Sequence, residues 1–378
     1  MNRYLLGIDG GSTTATVALV DPDKQLTFAE YRRHFAEQGN CVRDLLTLVA
    51  ERFPDAEFKT AVCGSGARPI AELLGVDFVQ EVVANSIAIK HLHPEARTAI
   101  ELGGQDAKVI FFHFDDTSQQ LIASDMRMNG VCAGGTGAFI DEIAQLLQIP
   151  VEEFNGHAER ASRAHQVSGR CGVFAKTDIQ PLLNQGIPRE ELALSTLYAV
   201  ARQTIGGLAQ GTTIRAPVVF EGGPLTFNPR LIAAFADLLG LEDSDVIIPE
   251  KPEVTVAWGC ALAIDVLLRD EAEWRTADEL LQRMQGRAGD LRLDTVDADV
   301  PFFDSDADRE DFFARQLDAE EIRKIPAGLE RLDVWVGIDS GSTTSKFVFL
   351  DEHGTPIYSY SVSYTHLTLP TSKPKCRW

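Results

Sequence analysis

The amino-acid sequence predicts a layered α/β fold. Short apolar runs of strand character alternate along the chain with longer runs whose apolar residues recur every three or four positions. Pairs of glycines follow several of the short runs, as expected where a strand ends in a tight turn before the next element. Such alternation is typical of sheets covered by helices.

The individual elements follow from these patterns. Between two copies of a repeated segment, the predicted strands are residues 60–63, 98–102, 108–114 and 217–221. The predicted helices are residues 41–52, 82–92, 139–147, 190–210, 229–239 and 258–268.

The repeated segment is YLLGIDGGSTTATVALVD at residues 4–21 and VWVGIDSGSTTSKFVFLD at residues 334–351. Each copy is typical of a β-hairpin with a polar Gly/Ser/Thr tip. Duplication of a whole domain is the simplest cause. We therefore predict a first module at residues 1–269, a charged linker with one or two short helices at 270–332, and the start of a second, truncated module at 333–361.

The last residues, 362–378, do not continue the repeat. Their VSYTHL string is similar to a translated sequencing adapter, so we expect this tail, which includes Cys376, to be non-native.

Composition limits the classes of function. The 378 residues are 44% hydrophobic and carry a net charge of -21, so we expect a globular protein that binds neither nucleic acid nor an anionic membrane. No apolar stretch approaches the roughly 18–20 residues that span a bilayer, and no signal peptide is evident, which predicts a cytoplasmic protein. Its six cysteines are expected to be mostly buried thiols unless some bind metal.

The tip of the first hairpin is the first candidate site. Asp9 ends an apolar run and can hold Mg²⁺ through water, while glycines allow close approach of a phosphate and hydroxyls donate hydrogen bonds to it. The candidate phosphate-binding residues are Gly10, Gly11, Ser12, Thr13 and Thr14. A plain tight turn is the alternative, and the repetition disfavours it.

Two later turns have the same character. In the first, Gly103 and Gly104 precede Gln105, which can orient a water, and Asp106, which can bind metal or accept a proton. In the second, bare backbone after a strand can contact a base or ribose. Its residues are Gly222, Gly223 and Pro224.

Cys132 and Cys171 lie in glycine-rich segments ahead of predicted helices. Unpaired amides and the dipole at a helix N-terminus favour a thiolate and an anionic cluster. Two cysteines are too few for a four-cysteine iron-sulfur site, but a symmetric pair of modules could supply four. Two unrelated buried thiols are the alternative.

Taken in order, the three turns resemble the phosphate-1, phosphate-2 and adenosine motifs of the actin, Hsp70 and sugar-kinase superfamily. This resemblance implies a ribonuclease H-like ATPase with two lobes around a nucleotide cleft. Lobe I would be about residues 1–95 and 250–269, and lobe II about 96–249. The connecting helices would be residues 81–92 and 258–263, the latter with small residues that allow close packing.

The segments GIDGGSTT, ELGGQD, NGVCAGGTGAFID and SGRCGVFAKTDI look like the activators of 2-hydroxyacyl-CoA dehydratases and the related BadF/BadG/BcrA/BcrD ATPases, over residues 3–268. The tandem arrangement resembles the large fused activases. The resemblance implies ATP/ADP and Mg²⁺ as ligands and a 4Fe-4S cluster bridged by Cys132 and Cys171 of two modules, either as a homodimer or within one chain. ATP hydrolysis would drive a low-potential electron, supplied by a ferredoxin or flavodoxin, into an acyl-CoA dehydratase or benzoyl-CoA reductase.

One departure from the family is Thr16, where the pattern has a lysine that the second copy keeps as Lys346. ATP turnover in the first module is therefore less strongly implied than nucleotide binding. The alternative function is an N-acetylhexosamine-type kinase of the same superfamily, with Asp106 as general base, which leaves the two cysteines unexplained. A third alternative is a nucleotide-dependent chaperone or regulator.

Overall fold

The computed structural model describes residues 2–115, 120–129, 135–168, 172–268, 272–285, 303, 305–318, 332–340 and 344–363. The chain divides into two compact units, Met1–Leu293 and Asp294–Trp378. Within the described ranges, no helix combines the length and apolar character needed to cross a bilayer. The predictions for Cys132, Cys171 and Cys376 fall outside the described residues.

The first sheet of the larger unit is organised around the N-terminal hairpin. Its strand order is β3-β2-β1-β4-β5, with β1 antiparallel to β2 and parallel to β4. The elements are β1 (Asn2–Gly10), β2 (Thr14–Val20), β3 (Leu26–Arg33), α1 (Gln38–Arg52), β4 (Ala56–Cys63), α2 (Arg68–Leu74), β5 (Asp77–Phe78) and α3 (Glu81–Leu92).

The second sheet repeats this connectivity, with the order β10-β9-β6-β7-β8, β6 antiparallel to β7 and parallel to β9. Its strands are β6 (Thr98–Leu102), β7 (Ala107–Asp115), β8 (Gln120–Met128), β9 (Val218–Glu221) and β10 (Val246–Ile247). The helices are α4 (Gly137–Leu147), α5 (Phe154–Glu159), α6 (Gly172–Asn184), α7 (Arg189–Thr204), α8 (Gly223–Phe227), α9 (Pro229–Leu239), α10 (Thr255–Ala263) and α11 (Ala277–Met284). Two sheets of one topology confirm the predicted two-lobed fold.

Helices α3 and α10 pack against each other, as predicted for the connecting helices. At their crossing, a Cβ added to Gly259 would lie 2.0 Å from the carbonyl oxygen of Ala84. Only glycine permits such an approach of two helix backbones. The prediction that small residues allow close packing here is confirmed.

The segment predicted as a linker is partly core. Helix α11 buries Ala277, Leu280 and Met284 in the apolar cluster of the first sheet. Phe58 and Arg275 exchange two backbone hydrogen bonds of 2.7 and 2.9 Å next to this helix. Residues 272–285 contain one of the short helices predicted for this segment, and the apolar face of α11 covers the first sheet despite the local charge. The domain boundaries stay predictions.

The smaller unit contains helix α12 (Asp306–Asp318) and a three-stranded sheet of β11 (Trp335–Ser340), β12 (Thr344–Leu350) and β13 (Pro356–Ser363). Asp339 of β11 faces Lys346 of β12, just as Asp9 of β1 faces Thr16 of β2. The predicted repeat of the hairpin is confirmed, with the same register in both copies.

Candidate nucleotide-binding site

A cleft lies between the two sheets of the larger unit, and the three glycine-containing turns meet in it. The turns that follow β1, β6 and β9 all line this cleft. The predicted residues that line the cleft are Asp9, Gly11, Ser12, Thr13, Thr14, Gly103, Gly104, Asp106, Gly222, Gly223 and Pro224. Other lining residues are Tyr31, Glu81, Glu101, Pro252, Glu253 and Val256.

The first turn is held from behind by two side chains that sequence reasoning missed. The amide Nε2 of Gln38 donates hydrogen bonds of 2.9 Å to the carbonyl oxygens of Gly10 and Gly11. The side-chain Nε2 of His34 lies 3.1 Å from the carbonyl oxygen of Gly11, and the backbone amide of His34 donates a hydrogen bond of 3.1 Å to the carbonyl oxygen of Thr13. These bonds hold the carbonyl groups of the turn on the side away from the cleft. The amides and hydroxyls of the turn can therefore face the cleft.

The turns of the two sheets touch each other. A Cβ added to Gly104 would lie 2.0 Å from Oγ1 of Thr13, so this contact requires glycine. Gly222 has a positive φ of 94°, and a Cβ there would lie 2.2 Å from the carbonyl oxygen of Leu102. The glycines of the second and third turns therefore serve close approach between backbones.

A buried cluster of charges forms the floor of the cleft. Lys108 of β7 is fully buried, and its Nζ lies 2.7 Å from Glu81, 2.6 Å from Glu101 and 3.1 Å from Asp106. One cation thus faces three carboxylates, which leaves an excess of negative charge. From the sequence, Lys108 was assigned only to a strand and Glu81 only to a helix. The acids of the ELGGQD segment were the available signal for a charged cluster here.

Burial and the neighbouring charges together shift the pKa values of the groups in this cluster. Burial raises the pKa of Asp9 well above its usual value, and the nearby carboxylates, led by Glu81, add to the rise while Lys108 opposes it. Burial raises the pKa of Glu101 to about 7, against the attraction of Lys108. Burial would lower the pKa of Lys108, but the surrounding carboxylates raise it well above its usual value.

Glu221, at the end of β9, is a second buried acid behind the cleft. It is fully buried, and its two carboxyl oxygens make no well-formed hydrogen bond to the described residues, although Asn85 and Thr255 adjoin it. Burial, followed by repulsion from Glu101, raises its pKa to about 8. Glu221 therefore carries its proton at neutral pH.

Gln105 and Gly10 are the predicted residues that do not line the cleft. Gln105 is exposed and does not line the cleft, so its proposed orientation of a water stays a prediction. Gly10 is buried behind the turn, where a Cβ would lie 2.7 Å from that of Ala67. Its small size supports the turn from within.

A helix follows each of the two predicted cluster-binding segments, as expected: α4 begins at Gly137 and α6 begins at Gly172. The first amides of α4 donate to the second turn, from Gly137 to Gly103 over 3.0 Å and from Ala138 to Gly104 over 2.7 Å. Helix α4 is thus bonded directly to the second glycine turn of the cleft.

Among the cysteines in the described part of the chain, Cys63 and Cys260 are free, buried thiols and Cys41 is a partly buried free thiol. Cys63 lies beside the cleft, with its Sγ 3.7 Å from Oδ1 of Asp9. This agrees with the expectation that most of the cysteines are buried thiols.

Two sheets of one topology, joined by packed helices and enclosing glycine turns at a cleft, define the two-lobed fold of actin, Hsp70 and the sugar kinases. The chain belongs to the BadF/BadG/BcrA/BcrD ATPase family, whose sequence profile matches residues 6–263.

Characterised relatives lie within this family. The chain is 29% identical to the activator of lactoyl-CoA dehydratase from Anaerotignum propionicum, over 68% of this chain and 96% of that protein. It is 26% identical to the (R)-2-hydroxyglutaryl-CoA dehydratase activating ATPase of Acidaminococcus fermentans, over 64% and 90% of the two chains.

Solved structures agree with the fold. Component A of the Acidaminococcus fermentans (R)-2-hydroxyglutaryl-CoA dehydratase aligns with a TM-score of 0.60 at 26% identity, over 68% of this chain and 96% of that one. The activator of the 2-hydroxyisocaproyl-CoA dehydratase from Clostridium difficile, solved with bound ADPNP, aligns with a TM-score of 0.58 at 23% identity, over 74% and 96%. The second likeness supports the fold alone.

Proposed function

We propose that this chain is an ATP-dependent activator that hydrolyses ATP to drive a low-potential electron from a bridging 4Fe-4S cluster into an acyl-CoA dehydratase or a benzoyl-CoA-reductase-type enzyme. The observation that carries the proposal is the meeting of three glycine turns over the charged floor in one cleft. Relatives named as dehydratase activators, together with a benzoyl-CoA reductase subunit that is 24% identical, support this class of partner.

In the proposed site, Ser12, Thr13 and Thr14 donate hydrogen bonds to the phosphates, and the backbone of Gly103 and Gly104 closes over them. The nucleoside end lies against the bare backbone of the turn after β9. Asp106, held by Lys108, faces the same cleft and can orient or deprotonate the attacking water. With Gln105 exposed, Asp106 is the stronger candidate for this role.

The cleft residues fit a divalent cation. Oxygens of Glu81, Glu101 and Asp106 lie within 4.8 Å of one another, but Lys108 already neutralises part of their charge. Asp9 has no lysine opposite it on its own hairpin, and its pKa is raised first by burial and then by the nearby carboxylates, led by Glu81, so a cation would favour its charged form. Asp9 is therefore the residue proposed to hold Mg²⁺ through water, and the ion would polarise the phosphates.

Cys132 and Cys171 are the proposed cluster ligands, two from each of two modules. The thiolate is the preferred ligand of iron-sulfur clusters, and four are needed, which a homodimer or a second module would complete. When bound, the cluster supplies one low-potential electron, taken from a ferredoxin or flavodoxin. Helix α4 follows the Cys132 segment and is bonded to Gly103 and Gly104, so the chain connects the phosphate turn with that segment.

ATP hydrolysis is tested with Asp9→Asn and with the matched Asp339→Asn of the second hairpin. We expect the first variant to lose about 100-fold in Mg²⁺-dependent phosphate release, because it removes the carboxylate proposed to hold the Mg²⁺ that would polarise the phosphates. The second variant should keep the wild-type rate, because Asp339 belongs to the other unit. Equal rates for Asp9→Asn and the wild type would refute the assignment of Asp9.

The cluster is tested by anaerobic reconstitution with iron and sulfide. Wild-type protein should turn brown and bind iron, and Cys132→Ser and Cys171→Ser should abolish both while they retain ATP binding. Cys41→Ser is the matched control, because Cys41 is a partly exposed thiol on α1. A colourless wild-type protein that phosphorylates an amino sugar would support the kinase instead.

A further inference from the structure

An ion pair crosses the mouth of the cleft at residues that have no role so far. Arg33 ends β3 of the first sheet, and Asp141 lies in α4 beside the second sheet. Nη1 of Arg33 is 3.0 Å from Oδ2 of Asp141, and Nη2 is 3.2 Å from Oδ1. Two parallel bonds of this kind fix both the distance and the orientation of the two groups.

A second contact crosses the mouth beside this pair. Tyr31 lies two residues before Arg33, so both side chains leave the same face of β3. A Cβ added to Gly223 would lie 2.3 Å from the hydroxyl oxygen of Tyr31, so the two residues are in close contact. The ring centroid of Tyr31 is 5.9 Å from that of Phe227. The first sheet therefore reaches the turn after β9 as well as α4.

The two contacts border a cavity of about 400 Å³. Arg33, Asp141, Tyr31 and Phe227 line it, and it shares Thr13, Gly104, Gly223 and Pro224 with the phosphate cleft. A volume of this size suits a small organic ligand. A nucleotide whose phosphates lie in the cleft would extend its nucleoside into this cavity, beneath the ion pair.

We propose that Arg33 and Asp141, aided by Tyr31, form a clasp that holds the two lobes together over a bound nucleoside triphosphate and sets the rate of its release. The inference rests on the proposed function and adds positioning residues to the same site. Because Asp141 lies on α4, opening of the clasp would release the contact between the first sheet and the helix that follows the Cys132 segment.

The expected effect is moderate, because both side chains are partly exposed, Arg33 at 46% and Asp141 at 35%. Pairs of this exposure contribute modestly and are weakened by salt. We expect Arg33→Ala and Asp141→Ala each to release nucleotide about fivefold faster than the wild type, and the difference to shrink at high salt.

The experiment displaces a fluorescent ATP analogue from the full chain with excess ATP in a stopped-flow instrument. Exchange of the two charges, Arg33→Asp with Asp141→Arg, should bring the release rate back towards that of the wild type. This rescue would show that the attraction between the two groups, and not either side chain alone, sets the release rate. Arg43→Ala is the matched control, since Arg43 is similarly exposed at 44% and pairs with Asp44 on α1.

Wild-type release rates in both single variants, or no rescue by the exchanged pair, would overturn the clasp and leave the proposed function standing. A wild-type chain that binds no analogue would overturn the proposed function together with the clasp. Thermal unfolding of each variant identifies any loss of folded protein, and Tyr31→Phe offers a milder change at the same mouth with faster release expected.

Discussion

The two sheets of the larger unit have the same strand order, but they differ in the residue that faces the acid at the end of the first strand. In the first sheet Asp9 faces Thr16, whereas in the second sheet Glu101 faces Lys108. Lys346 occupies the corresponding place in the third hairpin. The buried cation of the cleft therefore comes from the second sheet, and the carboxylate that we propose to hold Mg²⁺ comes from the first.

A second difference lies on the next strand. Cys63 pairs with Asp9 in the first sheet, and Glu221 pairs with Glu101 in the second. The thiol is a small, weak hydrogen-bond donor, whereas the carboxyl group retains a proton because of its burial. One topology thus supports a side that we propose to bind a metal ion and an ion-paired side of the same cleft.

The largest expected effect comes from Lys108→Met, which removes the cation from the second sheet. Three carboxylates would lose their partner, and breaking a buried ion pair costs about 3–5 kcal/mol of unfolding free energy. The loss, measured by urea unfolding at pH 7, should shrink at pH 5 as the acids take up protons. Thr16→Val is the matched change in the first sheet and should cost much less. Equal losses would show that the two hairpins do not differ in this way.

The next effect tests what the sheets share. Gly64 and Gly222 follow the equivalent strands β4 and β9, with φ of 107° and 94°, and a Cβ would lie 2.3 and 2.2 Å from a carbonyl oxygen. Gly64→Ala and Gly222→Ala should each destabilise the protein by about 2–4 kcal/mol. Gly240→Ala, with φ of 67° but no atom nearby, should cost only about 1 kcal/mol. A loss for Gly240→Ala as large as the others would mean that backbone conformation alone matters.

The smallest effect concerns the proton on Glu221. Its pKa in the folded protein is about 8 and lies above the ordinary 4.5, so the wild type loses stability as the pH rises towards 8. Glu221→Gln has no proton to lose, and its unfolding free energy relative to the wild type should rise by about 2 kcal/mol from pH 6 to pH 8. A difference that stays constant over this range would contradict a buried, protonated Glu221.

Local patterns predicted much of the fold, because strand and helix periodicities are local. Residues 98–102 and 229–239 match their strand and helix in both bounds. Helix 190–210 was predicted too long as an α-helix: α7 ends at Thr204, and Ile205–Ala209 forms a π-helix. The glycine turns were identified from the sequence because close approach of two backbones requires glycine, which is visible in the sequence itself.

The charged floor of the cleft could not be predicted in the same way. Glu81, Glu101 and Lys108 come from a helix and two strands, and only the tertiary fold brings them together. Gln105 shows the converse, because its place in a motif suggested a site residue, whereas its exposed side chain does not line the cleft. Gln38 was missed because its function is to brace a turn far away in sequence.

Helix α11 has a practical consequence for preparing the first unit alone. A truncated protein ending at residue 269 would lack Ala277, Leu280 and Met284 and would open an apolar groove on the first sheet to water. Exposed apolar patches promote self-association, so this truncation should yield aggregated material from bacterial expression. Ending the chain after residue 285 keeps the groove covered and is the better starting point for crystallisation.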